Sequence, residues 1–179
     1  MPADGFLGNL TAAQEATLSQ FASQLATKYG SAGPQEQDLV IWGVNISNLS
    51  AKPDKKQSVV LLKFLRARKF DLEEATTMII NCLKWRKEFK VSTIKDETFS
   101  PTLQTGGLIH GRDINGCPVT YNFYGKMNFD EIFSAEDGVD KFIRWRVQLQ
   151  EKAIEHLDFD GGIEHIMQIH EYAGANLIY

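Results

Sequence analysis

The sequence predicts an α/β fold: a helical N-terminal module, then a β-hairpin, a crossover helix and a parallel strand. Three observations predict it. Apolar residues recur three and four apart from Leu72 to Phe89, the period of a helix with one buried face. Asn115-Gly116 lies between two apolar runs, a hairpin signal because both residues tolerate positive φ. Residues His165–Tyr172 read as one strand after a helical stretch, with successive side chains on opposite faces.

The chain begins with a loose lead-in over residues 1–10. Thr11-Ala-Ala-Gln14 has the form of a capping box, and Leu18, Phe21, Ala22, Leu25 and Tyr29 follow at helical spacing. Gly30 is placed to close that helix, and the Gly, Pro and Gln of residues 31–38 read as a linker. Val40–Val44 is a short apolar anchor, and Ser47–Ser58 reads as a polar loop. Val59–Arg68 is apolar and then basic, and is expected to form a short helix. Asp71-Leu-Glu-Glu74 is a second capping box. The helix after it carries Leu72, Ala75, Met78, Ile79, Cys82, Trp85 and Phe89 on one side. Lys84, Arg86, Lys87 and Lys90 close it, which suits the negative end of the helix dipole.

From Gly106 the period changes to two. Leu108–Asp113 and Pro118–Tyr124 are the predicted hairpin strands around Ile114-Asn-Gly116. In the second strand Val119, Tyr121 and Phe123 share one face, and Thr120, Asn122 and Tyr124 the other. Ser134-Ala-Glu-Asp137 is expected to start the next helix, with an apolar stripe of Val139, Phe142, Ile143, Leu149, Ala153, Ile154 and Leu157. Arg146 interrupts that stripe. It either meets a buried carboxylate or a ligand, or snorkels to solvent. Gly161-Gly162 closes the helix. Strand, helix and strand make a crossover, so the two strands should be parallel. In the final strand Ile166, Gln168, His170 and Tyr172 share a face, opposite His165, Met167, Ile169 and Glu171. His170 and Tyr172 are separated by about 6.6 Å along the strand, so both can reach one cavity. By themselves they read first as half-buried strand residues with satisfied hydrogen bonds. His110, His156 and His165 have no partner at ligand spacing.

Composition limits the function. A net charge of −4 gives no reason to expect nucleic acid. The charge is uneven: residues 51–90 hold eleven Lys/Arg and five Asp/Glu, a block that faces either solvent or anionic lipid headgroups. Cys82 and Cys117 are isolated thiols, which fits a reducing, intracellular compartment. The N-terminus does not read as a signal peptide, and any membrane contact is expected to be peripheral. There is no nucleotide-binding glycine loop and no nucleophile motif, so the chain is not expected to be an enzyme.

Three stretches together resemble one family. They are Leu61–Phe70 with Trp85-Arg-Lys-Glu-Phe89, then Gly116–Gly125, then Phe142-Ile-Arg-Trp-Arg146. They resemble the CRAL-TRIO lipid-binding proteins, the class of the yeast secretory phosphatidylinositol transfer protein, over roughly residues 40–175. The resemblance implies an N-terminal helix and linker over 1–38, the helical module over 39–95, and part of the lipid-binding domain over 96–179. Tyr121–Gly125 and Leu157-Asp-Phe159 are similar to plant patellins and to a fungal heme-binding branch. Gln168-Ile-His-Glu-Tyr172 is similar to the Gln-Val-His-Asp-Tyr run of that branch, whose tyrosine is an axial ligand of heme iron. The resemblance therefore implies heme as cofactor, Tyr172 as iron ligand and His170 beside it. A phenolate is a hard oxygen ligand that holds ferric heme, and a nearby cation favours its ionised form. Tyr121 and Arg146 are further candidates for the ligand site. The fungal branch also uses a tyrosine of its helical module. Arg68 stands at the matching place here, so the propionate side would be managed differently.

The expected function is binding of a hydrophobic ligand, heme or phosphatidylinositol, at cytoplasmic or peripheral endoplasmic-reticulum membranes. A regulatory interaction module is the third possibility. The pocket should lie over the sheet, lined by Tyr121, Phe123, His170 and Tyr172 or by the opposite faces. The family's domain continues with further strands, a gate helix and inositol-phosphate ligands beyond this sequence. Phosphatidylinositol transfer by these residues alone is therefore expected to be poor.

Overall fold

The computed structural model describes residues 4–29 and 39–174; Gly30 and the linker at 31–38 lie outside them. The chain divides into two compact units, Met1–Ser92 and Thr93–Tyr179.

The first unit is built on the helical periods. Helix α1 (Ala12–Tyr29) buries Leu18, Phe21, Ala22 and Leu25. Its capping box is reciprocal: Gln14 N–H donates to Thr11 Oγ1 at 3.2 Å, and Thr11 N–H to Gln14 Oε1 at 2.9 Å. The apolar anchor is a minimal antiparallel hairpin, β1 (Val40–Ile41) and β2 (Val44–Asn45). Its two turn residues, Trp42 and Gly43, have φ of 52° and 78°, the backbone a type I′ turn requires.

Helix α2 (Lys55–Ala67) starts earlier than the sequence suggested. Asp54 and Gln57 form a full capping box there, so the end of the expected loop is the first helical turn. Val60, Leu61, Leu62 and Leu65 are fully buried. Helix α3 (Leu72–Glu88) begins at Asp71, whose carboxylate accepts the N–H of Glu74 at 2.9 Å. Its buried stripe is Ala75, Ile79 and Leu83. Trp85, assigned to that stripe from sequence, stands outside it and is exposed. Leu83 completes the i, i+4, i+8 row that points inward.

In the second unit, α4 (Pro101–Gln104) leads into a three-stranded sheet. Its strands β3 (Gly107–Arg112), β4 (Pro118–Phe123) and β5 (Met167–Glu171) lie in that order. β3 and β4 are antiparallel, with Leu108 opposite Tyr121 and Ile109 opposite Thr120. β4 and β5 are parallel, as the crossover predicts, with Tyr121 beside Ile169 and Asn122 beside His170.

The crossover corrects the expected helix boundaries. Ser134 ends a short helix, α5 (Phe129–Ser134), rather than starting a long one. The long helix α6 spans Gly138–Ile154. A Cβ on Gly138 would lie 1.9 Å from the carbonyl oxygen of Ile132, so only glycine lets α5 and α6 meet this closely. Gly161-Gly162 do not end α6. They sit in a later turn closed by mutual backbone bonds between Asp158 and Ile163.

The buried face of α6 is Trp145, Gln148, Leu149 and Ala153, whereas Val139 and Ile143 of the expected stripe are exposed. Trp145 and Leu149 join Leu103, Met127 and Ile132 in one core, with Ile109 packed against it. Helix and sheet approach closely because the chain is bare at Gly106 and Gly107. Cβ atoms there would lie 2.7 Å from Met127 Cε and from Leu149 Cδ2.

Candidate ligand-binding site

The pairing of β4 with β5 decides which side chains meet. Partners in a parallel ladder point to the same face, so Thr120, Asn122, Gln168 and His170 all face α6. Contacts bear this out. Gln168 Nε2 donates to Gln150 Oε1 of α6 at 3.3 Å, and the Arg146 guanidinium donates to Asn122 Oδ1. Asn122 also donates from Nδ2 to the carbonyl of Ile169 at 3.3 Å. Arg146 therefore meets an amide rather than a carboxylate.

Just past β4, Tyr124 gathers the rest of this face. Its ring stacks on His170 at 5.7 Å with 6° between planes, and lies 5.6 Å from the Tyr172 ring. The Arg146 guanidinium carbon stands 5.6 Å over the same ring, within cation–π range. Arg146, His170 and Tyr172 are thus collected around Tyr124. Tyr124 was not singled out in the sequence, although alternation already set it beside Thr120 and Asn122. The missing quantity was the β4–β5 register.

His170 and Tyr172 are exposed rather than half-buried, Tyr172 at 53%. β5 pairs only with β4 among the described strands. Tyr121 is not part of this cluster: it lies on the opposite face with Ile169 and stacks on Phe123 at 6.3 Å. Arg68 belongs to the first unit, where it caps α2 and lines a polar cleft with Asp71, Glu74, Thr77 and Asn81.

The face opposite α6 has a different character. Leu108, Met167 and Ile169 are between 39% and 47% exposed there, with the rings of Tyr121 and Phe123 beside them. At one end of this strip the Lys126 ammonium lies 4.8 Å from the centre of the Phe123 ring. Glu171, paired with Phe123, has Oε1 accepting from Ala173 N–H at 2.6 Å. Its Oε2 is shielded from solvent and accepts no hydrogen bond among the described residues.

A two-part helical and α/β chain with an apolar sheet face is what the CRAL-TRIO lipid-binding fold consists of, and this chain belongs to that family. Residues 22–81 match the CRAL/TRIO N-terminal domain and 104–178 the CRAL/TRIO domain. The particular relatives are of two kinds. The chain is 40% identical over 141 residues to Patellin-4 of Arabidopsis thaliana, covering 78% of this chain and 26% of that protein. It is 32% identical over 182 residues to the phosphatidylinositol transfer protein SFH5 of Meyerozyma guilliermondii, covering 94% of this chain and 54% of that one. The crystal structure of Sfh5 aligns with a TM-score of 0.63 at 26% identity, over 91% of this chain and 56% of the other. The chain thus spans a quarter to about half of the length of these relatives.

Proposed function

We propose that this chain binds a phospholipid of the phosphatidylinositol class against the open face of its sheet. The observation that carries the proposal is the half-exposed apolar strip of Leu108, Met167 and Ile169. Side chains of that kind are stabilised when acyl chains replace water over them. The polar end of the strip suits a headgroup: Lys126 offers a cation for phosphate, and Glu171 Oε2 an acceptor for a hydroxyl. The name of the SFH5 relatives supports the same ligand class. The test is lipid analysis of the purified chain, with vesicle-to-protein transfer of labelled phosphatidylinositol. Stoichiometric lipid that falls with Ile169→Ser or Lys126→Glu supports the proposal. A lipid-free protein that takes up none overturns it.

A second reading, heme, is favoured by the cluster on the other face. The donor set fits the group: a phenol oxygen at Tyr172, an imidazole at His170, and, over the Tyr124 ring on which both pack, the Arg146 guanidinium to meet a carboxylate. Tyr172 would hold the iron, His170 would stand beside it, and Arg146 would hold a propionate. Bound heme would supply a ferric centre for carriage or sensing. The name of the SFH5 relatives makes phospholipid the leading reading. Protein from heme-replete cells with a Soret band that Tyr172→Phe shifts or removes would reverse that ranking. The two readings use opposite faces, so one set of variants separates them.

A further inference from the structure

The tip of the β3–β4 hairpin holds a chemically labile pair that neither ligand reading uses. Asn115-Gly116 is the one Asn-Gly step in the sequence; the other asparagines are followed by Leu, Ile, Cys or Phe. Asp113 brackets the tip. Its N–H donates to the Cys117 carbonyl at 2.9 Å, and its Oδ1 accepts the N–H groups of Asn115 and Cys117, each at 2.8 Å, the side-chain turn that Asp favours. Asn115 stands at the outer end of this bracket and is exposed, as is Ile114 before it. Gly116 has φ of 82°, a conformation open to glycine, and its N–H donates to the Asp113 carbonyl at 3.0 Å. Other asparagines are held. Asn122 is buried and bonded at both ends of its amide, and Asn45, Asn48 and Asn128 each accept a bond at Oδ1.

We propose that Asn115 is a self-modifying site, converted in the folded chain to aspartate and isoaspartate by water alone. The Gly116 nitrogen gives its proton to solvent base and attacks the side-chain carbonyl carbon of Asn115. The bond from that carbon to the amide nitrogen breaks, and ammonia leaves with a proton from water. A five-membered succinimide remains. A side chain at position 116 would crowd this ring, and glycine does not. Water then opens it at either carbonyl. Opening at the side-chain carbonyl gives aspartate; opening at the main-chain carbonyl gives isoaspartate, with the chain rerouted through the side chain. No electrons are gained or lost. The isoaspartyl product carries one extra carbon in the main chain just before Gly116. The Gly116 carbonyl accepts from Arg112 Nη1 at 2.6 Å, and Arg112 Nη2 donates to the His156 carbonyl at 3.0 Å, just beyond α6. The modification therefore reaches the tie between the hairpin and the crossover. It lies at the far end of β4 from Tyr124 and Lys126, so the inference holds whichever ligand the sheet carries.

The test is peptide mass mapping of the purified full chain after incubation at pH 8 and, separately, at pH 5. The peptide holding Asn115 should gain the mass of amide-to-acid exchange several-fold faster than any other asparagine peptide, and faster at pH 8. It should split into two products, one of them a substrate for an isoaspartate methyltransferase. Asn115→Gln should abolish the gain, because its ring would need a sixth member. The aged chain should unfold at lower urea than Asn115→Asp, which adds the charge without the extra carbon. Equal midpoints for the two would overturn the reach through Arg112. Exchange seen only in the urea-unfolded chain would mean that the turn shields the Gly116 nitrogen, and would overturn the proposal. So would an equal rate at another asparagine, or a rate that ignores pH.

Discussion

Arg146 donates a hydrogen bond to Oδ1 of Asn122, a side chain with 0% of its surface exposed. The bond ties the middle of α6 to the central strand and holds the guanidinium above Tyr124. Asn122→Leu removes the acceptor and leaves the guanidinium partly buried without it. The expected cost is about 1–3 kcal/mol in urea unfolding. Arg146→Met in the same background should recover part of it, because two apolar groups then replace a broken pair.

Gly125→Ala should disturb the Tyr172 segment directly. The added carbon would lie 2.1 Å from the carbonyl oxygen of Ala173 and 2.8 Å from the carbonyl carbon of Tyr172. Backbone cannot give way as a flexible side chain does. A loss of about 1–3 kcal/mol is expected, with a changed near-ultraviolet tyrosine signal.

Ile169→Ser and Leu108→Ser separate ligand binding from folding. Ile169 is 39% and Leu108 43% exposed, so loss of the buried remainder should cost only about 1–2 kcal/mol in thermal unfolding. Bound phospholipid should fall severalfold. A large loss of stability with unchanged lipid would assign the strip to packing instead.

Acid stability should depend on Glu97. Its carboxylate is hydrogen-bonded to Arg144, which holds its pKa below the ordinary 4.5. A lowered folded-state pKa gives stability that is present above the unfolded value and lost as pH falls through the folded one. Glu97→Gln should therefore reduce stability at neutral pH and flatten the decline below about pH 4.5. Unfolding midpoints measured between pH 3 and 7 check this.

Much of the fold was legible because it rests on local rules. The capping pair Thr11–Gln14, the period of α3 and the Asn115-Gly116 turn each fix an element from a few neighbouring residues. The start of α6 was not legible. Ser134-Ala-Glu-Asp137 has the composition of a helix start, but Gly138 packs against Ile132, and that contact sets the boundary. The site was legible by parity alone. Alternation put His170 with Tyr172 and set Tyr121 apart from Tyr124. Only strand pairing could place Asn122 beside His170, and with that Tyr124 in the cluster and Tyr121 on the other face. Trp85 shows the same limit: helical period marks a stripe, and neighbouring helices choose which edge of it is covered.

The bare backbone at Gly106 and Gly107 reaches beyond its own contacts. At Gly106 a methyl group would first meet the pliant tip of Met127, but at Gly107 it would be pinched between Leu149 of the long helix and the carbonyl oxygen of Tyr121 at 2.9 Å, like a shim under a beam. A helix lifted there would draw the tip of Arg146 away from its amide. A residue with no side chain thus sets the reach of the side chain that organises one whole face of the sheet.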